Sequence, residues 1–308
     1  MNIFFNILLA SPRGFCAGVE RAIETVKQCL DKHGNPVYVL HEIVHNRHVI
    51  EELEEAGAVF VEHLEDIPVG GVCIFSAHGV SKSVENQAAD LGLRTVDATC
   101  PLVSSVHAMV EKYHSLDYDV IIIGHHNHPE VEGTAGRVSG RVYVVANEQE
   151  ALEVTVVDPD RVAYVTQTTL CKEDVNGILD ILQKRFPGSK VPRSSICFAT
   201  QNRQDAVKKI AEVSDIILVV GSKNSSNSNR LKEVAIQCGV TAYLIDDKSD
   251  IQPEWIRGIK QVGITAGASA PERLVDGVVE WMRQHGGENI QEMKRARENV
   301  HFKPAVLD

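Results

Sequence analysis

The sequence predicts an α/β protein of three small α/β domains with parallel-type sheets, related by pseudo-threefold symmetry about a shared central site. Three observations predict it. Apolar strand-like runs alternate with amphipathic helical segments along the chain, the pattern of parallel sheets covered on both faces. A strand-then-helix unit with a cysteine at its junction occurs three times, in "NILLASPRGFCAGVERAIETVKQCL", "RTVDATCPLVSSVHAMVEKYHSL" and "SSICFATQNRQDAVKKIAEV". The register after each cysteine also repeats: His45 lies 29 residues past Cys16, His128 lies 28 past Cys100, and Ser225 lies 28 past Cys197.

In chain order, "MNIFFNILLASPRG" reads as a first buried strand, since it lacks a basic leader and is too short to span a bilayer. Each cysteine unit is followed by a second strand ending in a polar loop, in "PVYVLHEIVHNRHVIEEL", "DVIIIGHHNHPEVEG" and "DIILVVGSKNSSNSNRLKEVAI". A third strand and loop follow, in "GVCIFSAHGVSKSVENQAADL", "RVAYVTQTTLCKEDVNGILDIL" and "QVGITAGASAPERLVDGVVEWM". These loops centre on His78, Thr168 and Ser269, 62, 68 and 72 residues past their cysteines, a drift that surface insertions produce. Ligands of parallel α/β sheets collect beyond the carboxyl ends of the strands, where all these loops lie. The expected domains are residues 1–97, 98–193 and 194–284, with 285–308 as a C-terminal extension that carries no assignable motif. No Pro/Gly/Ser-rich linker separates the blocks, so they are expected to touch.

Composition bounds the function. The 308 residues are 44% hydrophobic and 24% charged, as in a soluble globular protein of more than one domain. A net charge of −11 and a pI near 5.6 argue against a nucleic-acid surface, although a local pocket can still attract a small anion. No run approaches membrane length, so a cytoplasmic location is expected. There are seven cysteines and no C-x-x-C pair, which argues against a disulfide framework and leaves metal ligation, catalysis or burial.

Three cysteines at equivalent junctions would converge around a symmetry axis and form a ligand set. Zinc with three Cys and one His is one reading, and an iron–sulfur cluster is another. A lone free cysteine is more often a buried small hydrophobe, but matched placement in three repeats favours ligation for Cys16, Cys100 and Cys197. Cys29, Cys73, Cys171 and Cys238 lie away from the loop ends and read as structural. The stretch "GHHNHPEVEGT" brings His125, His126, His128, Glu130 and Glu132 together, which are also ligand types for zinc.

The Ser/Asn loop "GSKNSSNSNR" falls between a buried strand and a helix, where hydroxyl and amide donors form an anion cradle. A plain N-cap cluster is the alternative. Ser225, Asn227 and the matching Ser269 are therefore candidate phosphate ligands, with His45 and His78 as charge-assisted donors. Glu130 beside phosphates would be repelled unless it carried a proton, which suits a general acid; Thr168 would orient that proton or a substrate hydroxyl.

The motifs "PRGFCAGV", "HEIVHNR", "FSAHGV", "DATCPLV", "HPEVEGT", "TQTTL", "NRQ", "GSKNSSNSNRL" and "TAGASAP", in this order, closely resemble the 4-hydroxy-3-methylbut-2-enyl diphosphate reductase family, the last enzyme of the methylerythritol phosphate route to isoprenoids. The resemblance runs from about residue 7 to 284 and implies a trefoil of three α/β domains. It implies that Cys16, Cys100 and Cys197 ligate one [4Fe–4S] cluster per chain, with one iron not held by cysteine. His45, His78, His128, Ser225, Asn227 and Ser269, with Ser226 beside them, would bind the diphosphate. Glu130 would deliver protons and Thr168 would help place the hydroxyl. Flavodoxin or ferredoxin is the implied electron donor. On this basis His128 and Glu130 face substrate, and His125 and His126 are surface residues. Gln201 departs from the threonine common at its position in the family. Two rivals stand beside this reading: a zinc phosphoesterase with Glu130 activating water, and a cluster-bearing sensor of a diphosphate.

Overall fold

The computed structural model describes residues 4–190, 195–294 and 298–305; the expected boundary at residues 193/194 and part of the 285–308 extension lie outside them. The first block holds β1 (Phe5–Leu9), α1 (Ala17–His33), β2 (Val37–Leu40), α2 (Arg47–Glu55), β3 (Ala58–Val61), β4 (Val72–Phe75), α3 (Lys82–Asp90) and β5 (Arg94–Asp97). The second holds α4 (Pro101–Ser115), β6 (Asp119–Ile123), α5 (Pro129–Ala135), β7 (Val142–Val145), α6 (Glu148–Glu153), β8 (Val162–Thr166) and α7 (Lys172–Arg185). The third holds α8 (Phe198–Ala211), β9 (Ile216–Val220), α9 (Ser226–Gln237), β10 (Thr241–Ile245), β11 (Gln261–Ala266) and α10 (Glu272–Gln284), followed by β12 (Gly287–Glu292).

These strands form three parallel sheets, ordered β3-β2-β4-β5, β7-β6-β8 and β10-β9-β11-β1-β12. One topology repeats, with an offset that the sequence reading did not include. The chain entering each cysteine junction, as far as it is described, pairs with a block other than the cysteine's own. β5, ahead of Cys100, pairs with β4, and Lys190, ahead of Cys197, bridges Ala163 in β8. β1, which the sequence assigns to the first block, pairs with β11 in the sheet of the third: Asn6–Leu9 run beside Gln261–Ile264. Burial explains this choice, because Phe5 and Ile7 lie in one apolar cluster with Leu218, Val262 and Ile264.

Helices cover both faces of the sheets, so the central strands are apolar throughout. Along β9, Ile216, Leu218 and Val220 enter the cluster beneath α10, while Ile217 and Val219 enter the one formed with α8 and α9. β6 does the same, with Val120 and Ile122 facing α4 and Ile121 and Ile123 facing α7. The part of the C-terminal extension that was expected to carry no motif supplies β12, an edge strand parallel to β1.

The chain forms two compact units. One comprises residues up to Ala17, His45–Val49 and Phe198–Val300; the other comprises Gly18–Val44, Ile50–Cys197 and the chain from His301 onward. No helix among the described residues is long and apolar enough to cross a membrane.

Candidate active site

Each junction cysteine sits immediately before a helix, α1, α4 or α8, and each is fixed by the same backbone bond. Cys16 N–H donates to Ala268 O (3.1 Å), Cys100 N–H to Ala77 O (3.0 Å) and Cys197 N–H to Thr168 O (3.0 Å). This bond follows from the offset: β1 runs beside β11 and β5 beside β4, and Lys190 bridges β8. Cys16 is thereby joined to the Ser269 loop, Cys100 to the His78 loop and Cys197 to the Thr168 loop. All three are half-buried and outside any disulfide.

The remaining cysteines are placed differently. Cys29 and Cys73 are buried, and burial pushes both thiols up, Cys73 to about 12. Cys171 is buried at the N-cap of α7, and Cys238 is exposed at the C-cap of α9, nearer to helix ends than the sequence reading held. An uncharged, buried thiol such as Cys73 is not available as a thiolate ligand.

In the larger unit, Asn127 takes a left-handed conformation (φ 60°), which turns the chain so that His128 caps α5. His128 Nδ1 accepts the Glu130 N–H at 3.1 Å. An accepting Nδ1 leaves the ring proton on Nε2, as a donor. The His78 ring stands edge-on to His128, centroids 6.0 Å apart, with Ser76 Oγ 3.3 Å from His78 Nδ1. Gly79, next to it, has φ +78°, and a Cβ there would lie 2.6 Å from His107 Cε1.

Glu130 is 4% exposed. Its Oε1 accepts the Thr168 N–H at 2.6 Å and its Oε2 accepts the Thr168 hydroxyl at 2.8 Å. Burial pushes the carboxyl up to about 7, against the opposing pull of those two bonds. Such a group holds and releases a proton at neutral pH, as a general acid must. Gln167, which no pattern in "TQTT" singles out, holds the two loops together: its Oε1 accepts His125 N–H (3.0 Å) and its Nε2 donates to Thr169 Oγ1 (2.8 Å).

In the other unit, Ser225 caps α9, its Oγ accepting Ser228 N–H at 3.3 Å and the Ser228 hydroxyl at 3.0 Å. Ser226 opens the helix itself. Asn227 Oδ1 accepts Ala268 N–H at 2.9 Å, tying the Ser/Asn loop to "TAGAS". Its amide nitrogen is buried and has no hydrogen-bond partner among the described residues. Ser269 donates to His45 O at 3.0 Å. Close approach of these loops requires glycine: a Cβ on Gly221 or Gly267 would come within 2.2 or 2.0 Å of Ser228 Oγ.

Within one unit the structure therefore gathers Cys16, His45, Ser225, Ser226, Asn227 and Ser269; within the other it gathers His78, Cys100, His128, Glu130, Thr168 and Cys197. Among the described residues no three His, Cys, Asp or Glu side chains form a group able to hold a metal ion. In "HHNHPEVE" the physical reason is plain: His128 Nδ1 and both Glu130 oxygens are engaged with the protein, and exposed His126 pairs with Glu150 at 2.8 Å. Gln201 spends its amide on Asp205, one turn along α8 (2.7 Å), so the departure from threonine leaves the Cys197 backbone bond intact.

The LytB protein family matches residues 7–283. The 4-hydroxy-3-methylbut-2-enyl diphosphate reductase of Desulfotalea psychrophila is 64% identical over 302 residues, covering 98% of this chain and 96% of that protein. That of Bordetella pertussis is 52% identical over 298 residues, covering 96% and 92%. Among solved structures, the E-1-hydroxy-2-methyl-but-2-enyl-4-diphosphate reductase of Plasmodium falciparum superposes with a TM-score of 0.93 at 38% identity, covering 96% of this chain and 94% of that one. A second, (E)-4-hydroxy-3-methyl-but-2-enyl diphosphate reductase, described as the terminal enzyme of the non-mevalonate pathway, gives 0.66 at 34% identity, covering 91% and 100%.

Proposed function

This chain belongs to the LytB protein family, and from that premise we propose that it reduces 4-hydroxy-3-methylbut-2-enyl diphosphate as the last step of the methylerythritol phosphate route, a cytoplasmic reaction. Two electrons and two protons enter, the allylic hydroxyl leaves as water, and isopentenyl and dimethylallyl diphosphates form. The observation that supports this best is the Glu130–Thr168 pair, a buried carboxyl poised near neutrality with a hydroxyl bonded to it.

The repeated blocks 1–97, 98–193 and 194–284, with β1 transferred to the sheet of the third, are the α/β domains of one enzyme. Cys16, Cys100 and Cys197 hold one [4Fe–4S] cluster, leaving one iron without a cysteine. The fit rests on the donor set: three half-buried cysteines outside any disulfide, each fixed by the same backbone bond. When bound, the cluster supplies electrons singly and a Lewis-acidic iron for the leaving oxygen. A flavodoxin or ferredoxin delivers those electrons.

The chain's own groups do the rest. Ser225, Ser226 and Asn227 at the N-terminus of α9 bind the diphosphate, with the unpartnered Asn227 amide donating to it. Ser269, whose hydroxyl turns from His45 O to the diphosphate, joins His45, His78 and the Nε2–H of His128 as the remaining donors. Thr168 Oγ1 holds the substrate hydroxyl. With Glu130 protonated, its O–H donates to Thr168 Oγ1, which passes its own proton to the departing oxygen; one proton moves along two hydrogen bonds and leaves in water.

The test is iron and acid-labile sulfide per chain, with the visible spectrum, on protein purified without oxygen beside Cys16→Ser. About four irons and four sulfides, lost in the variant, are expected. Zinc in their place contradicts the reading.

A further inference from the structure

The motif "NRQ" and the C-terminal extension have no part in the chemistry above, yet they meet at a buried charge. Arg203 on α8 is 1% exposed. Its Nε and Nη2 donate to Gly14 O at 3.0 and 2.8 Å, Nη2 also to Phe15 O at 3.1 Å, and Nη1 to Ala199 O at 2.9 Å. Nη1 reaches both oxygens of Glu298 at 3.2 Å, and Asn202 Nδ2 donates to the same carboxylate at 2.9 Å. One guanidinium thus grips the two carbonyls just before Cys16 and the first turn after Cys197. A buried guanidinium surrounded by carbonyls needs a counter-charge, and Glu298 of the extension supplies it.

The same device recurs in the other unit, before Cys100. Arg21 on α1 donates from Nη1 to Thr99 O (2.9 Å) and from Nη2 to Asp97 O (3.3 Å). Its Nε donates to Lys303 O of the extension at 2.9 Å. One turn along α1, Thr25 Oγ1 accepts Ala305 N–H at 3.0 Å, so the extension is fixed at two points beside the arginine.

We propose that Arg203 and Arg21 are positioning residues for the Cys16 and Cys100 loops, and that the C-terminal extension, through Glu298 and the backbone of 303–305, clamps both arginines and so governs how firmly the thiols retain the cluster. This rests on the cluster reading above, and the test separates the two. Glu298→Ala and Arg21→Lys are compared with the unaltered chain, cluster-loaded and cluster-free. One measurement is amide hydrogen exchange over residues 14–16 and 97–100; the other is the anaerobic rate of iron transfer to a chelator, well below each variant's unfolding temperature.

Glu298→Ala is expected to speed exchange over 14–16 and iron release about tenfold or more each, as the forked Arg203 contact and the Asn202 bond are lost. Arg21→Lys, which keeps one carbonyl contact, is expected to act likewise on 97–100, and Glu298→Asp to restore most of the loss. A merely structural role would lower the unfolding temperature without moving iron release at fixed distance below it. Unchanged exchange in the cluster-free variants overturns the clamp, whatever the iron does. Faster exchange with unchanged iron release overturns its role in holding the cluster. If the unaltered chain binds no iron, the cluster reading fails, and the exchange measurement still decides the clamp.

Discussion

Thr168→Val removes the hydroxyl that donates to Glu130 Oε2 at 2.8 Å and keeps the backbone N–H that donates to Oε1 at 2.6 Å. Burial has pushed Glu130 up to about 7, and both Thr168 bonds oppose that rise by favouring the ionised form. A hydrogen bond to a charged group contributes ~1.5–3 kcal/mol and a pKa unit corresponds to ~1.4 kcal/mol, so losing the hydroxyl raises the carboxyl by about one further unit. The protonated carboxyl is the donor, so activity falls as pH rises through this pKa. Thr168→Val therefore moves the falling limb of the kcat profile about one unit to higher pH, and lowers its plateau by roughly 10–100-fold as the relay is lost. Thr168→Ser, which keeps the hydroxyl, holds the limb in place. The assay is the initial rate of diphosphate reduction by a reduced viologen dye, without oxygen, from mildly acidic to alkaline pH. A limb that stays put in Thr168→Val, or moves to lower pH, refutes the reasoning.

The raised Glu130 carboxyl stabilises the fold fully below the ordinary carboxylate range and loses that contribution as pH rises through about 7, a difference of about 3 kcal/mol. Glu130→Gln is thus expected to be more stable than the parent in alkaline urea titrations, with the gap closing in acid. His107 has the opposite sign: burial lowers it to about 4, so stability is lost as pH falls from the ordinary histidine range toward that value, and His107→Gln should flatten this slope in melts at neutral and acidic pH. Gly267→Ala, whose Cβ meets Ser228 Oγ at 2.0 Å, should raise KM for the diphosphate by about tenfold or more, and adding Ser228→Ala should recover part of it.

The catalytic loops are legible in the sequence because each lies at a strand-to-helix junction in a repeat, where apolar periodicity marks both flanks. Cys16, Cys100 and Cys197 stand out by register alone. The partner of β1 was not legible: strand pairing between residues 6–9 and 261–264 depends on where Phe5 and Ile7 find apolar neighbours, which no local pattern records. Nor was Arg203, whose role is set by carbonyls 188 and 189 positions away. In "NRQ" it looks like any polar helix residue. Glu298 and Lys303 lie in a stretch with no periodicity to read, and their meaning comes only from the arginines they meet. Glu130 lies between: its neighbours made it a candidate acid, but its proton affinity depends on burial beneath the Thr168 loop.

The most direct test follows isopentenyl and dimethylallyl diphosphate formation from the hydroxylated diphosphate with a reduced viologen dye, in the intact chain and in Glu130→Gln, under one oxygen-free preparation with equal iron content. The account predicts steady formation of both products by the intact chain and a loss of at least 100-fold in Glu130→Gln, the order expected when a general acid is removed. Normal turnover by Glu130→Gln, or none by the iron-loaded intact chain, contradicts it.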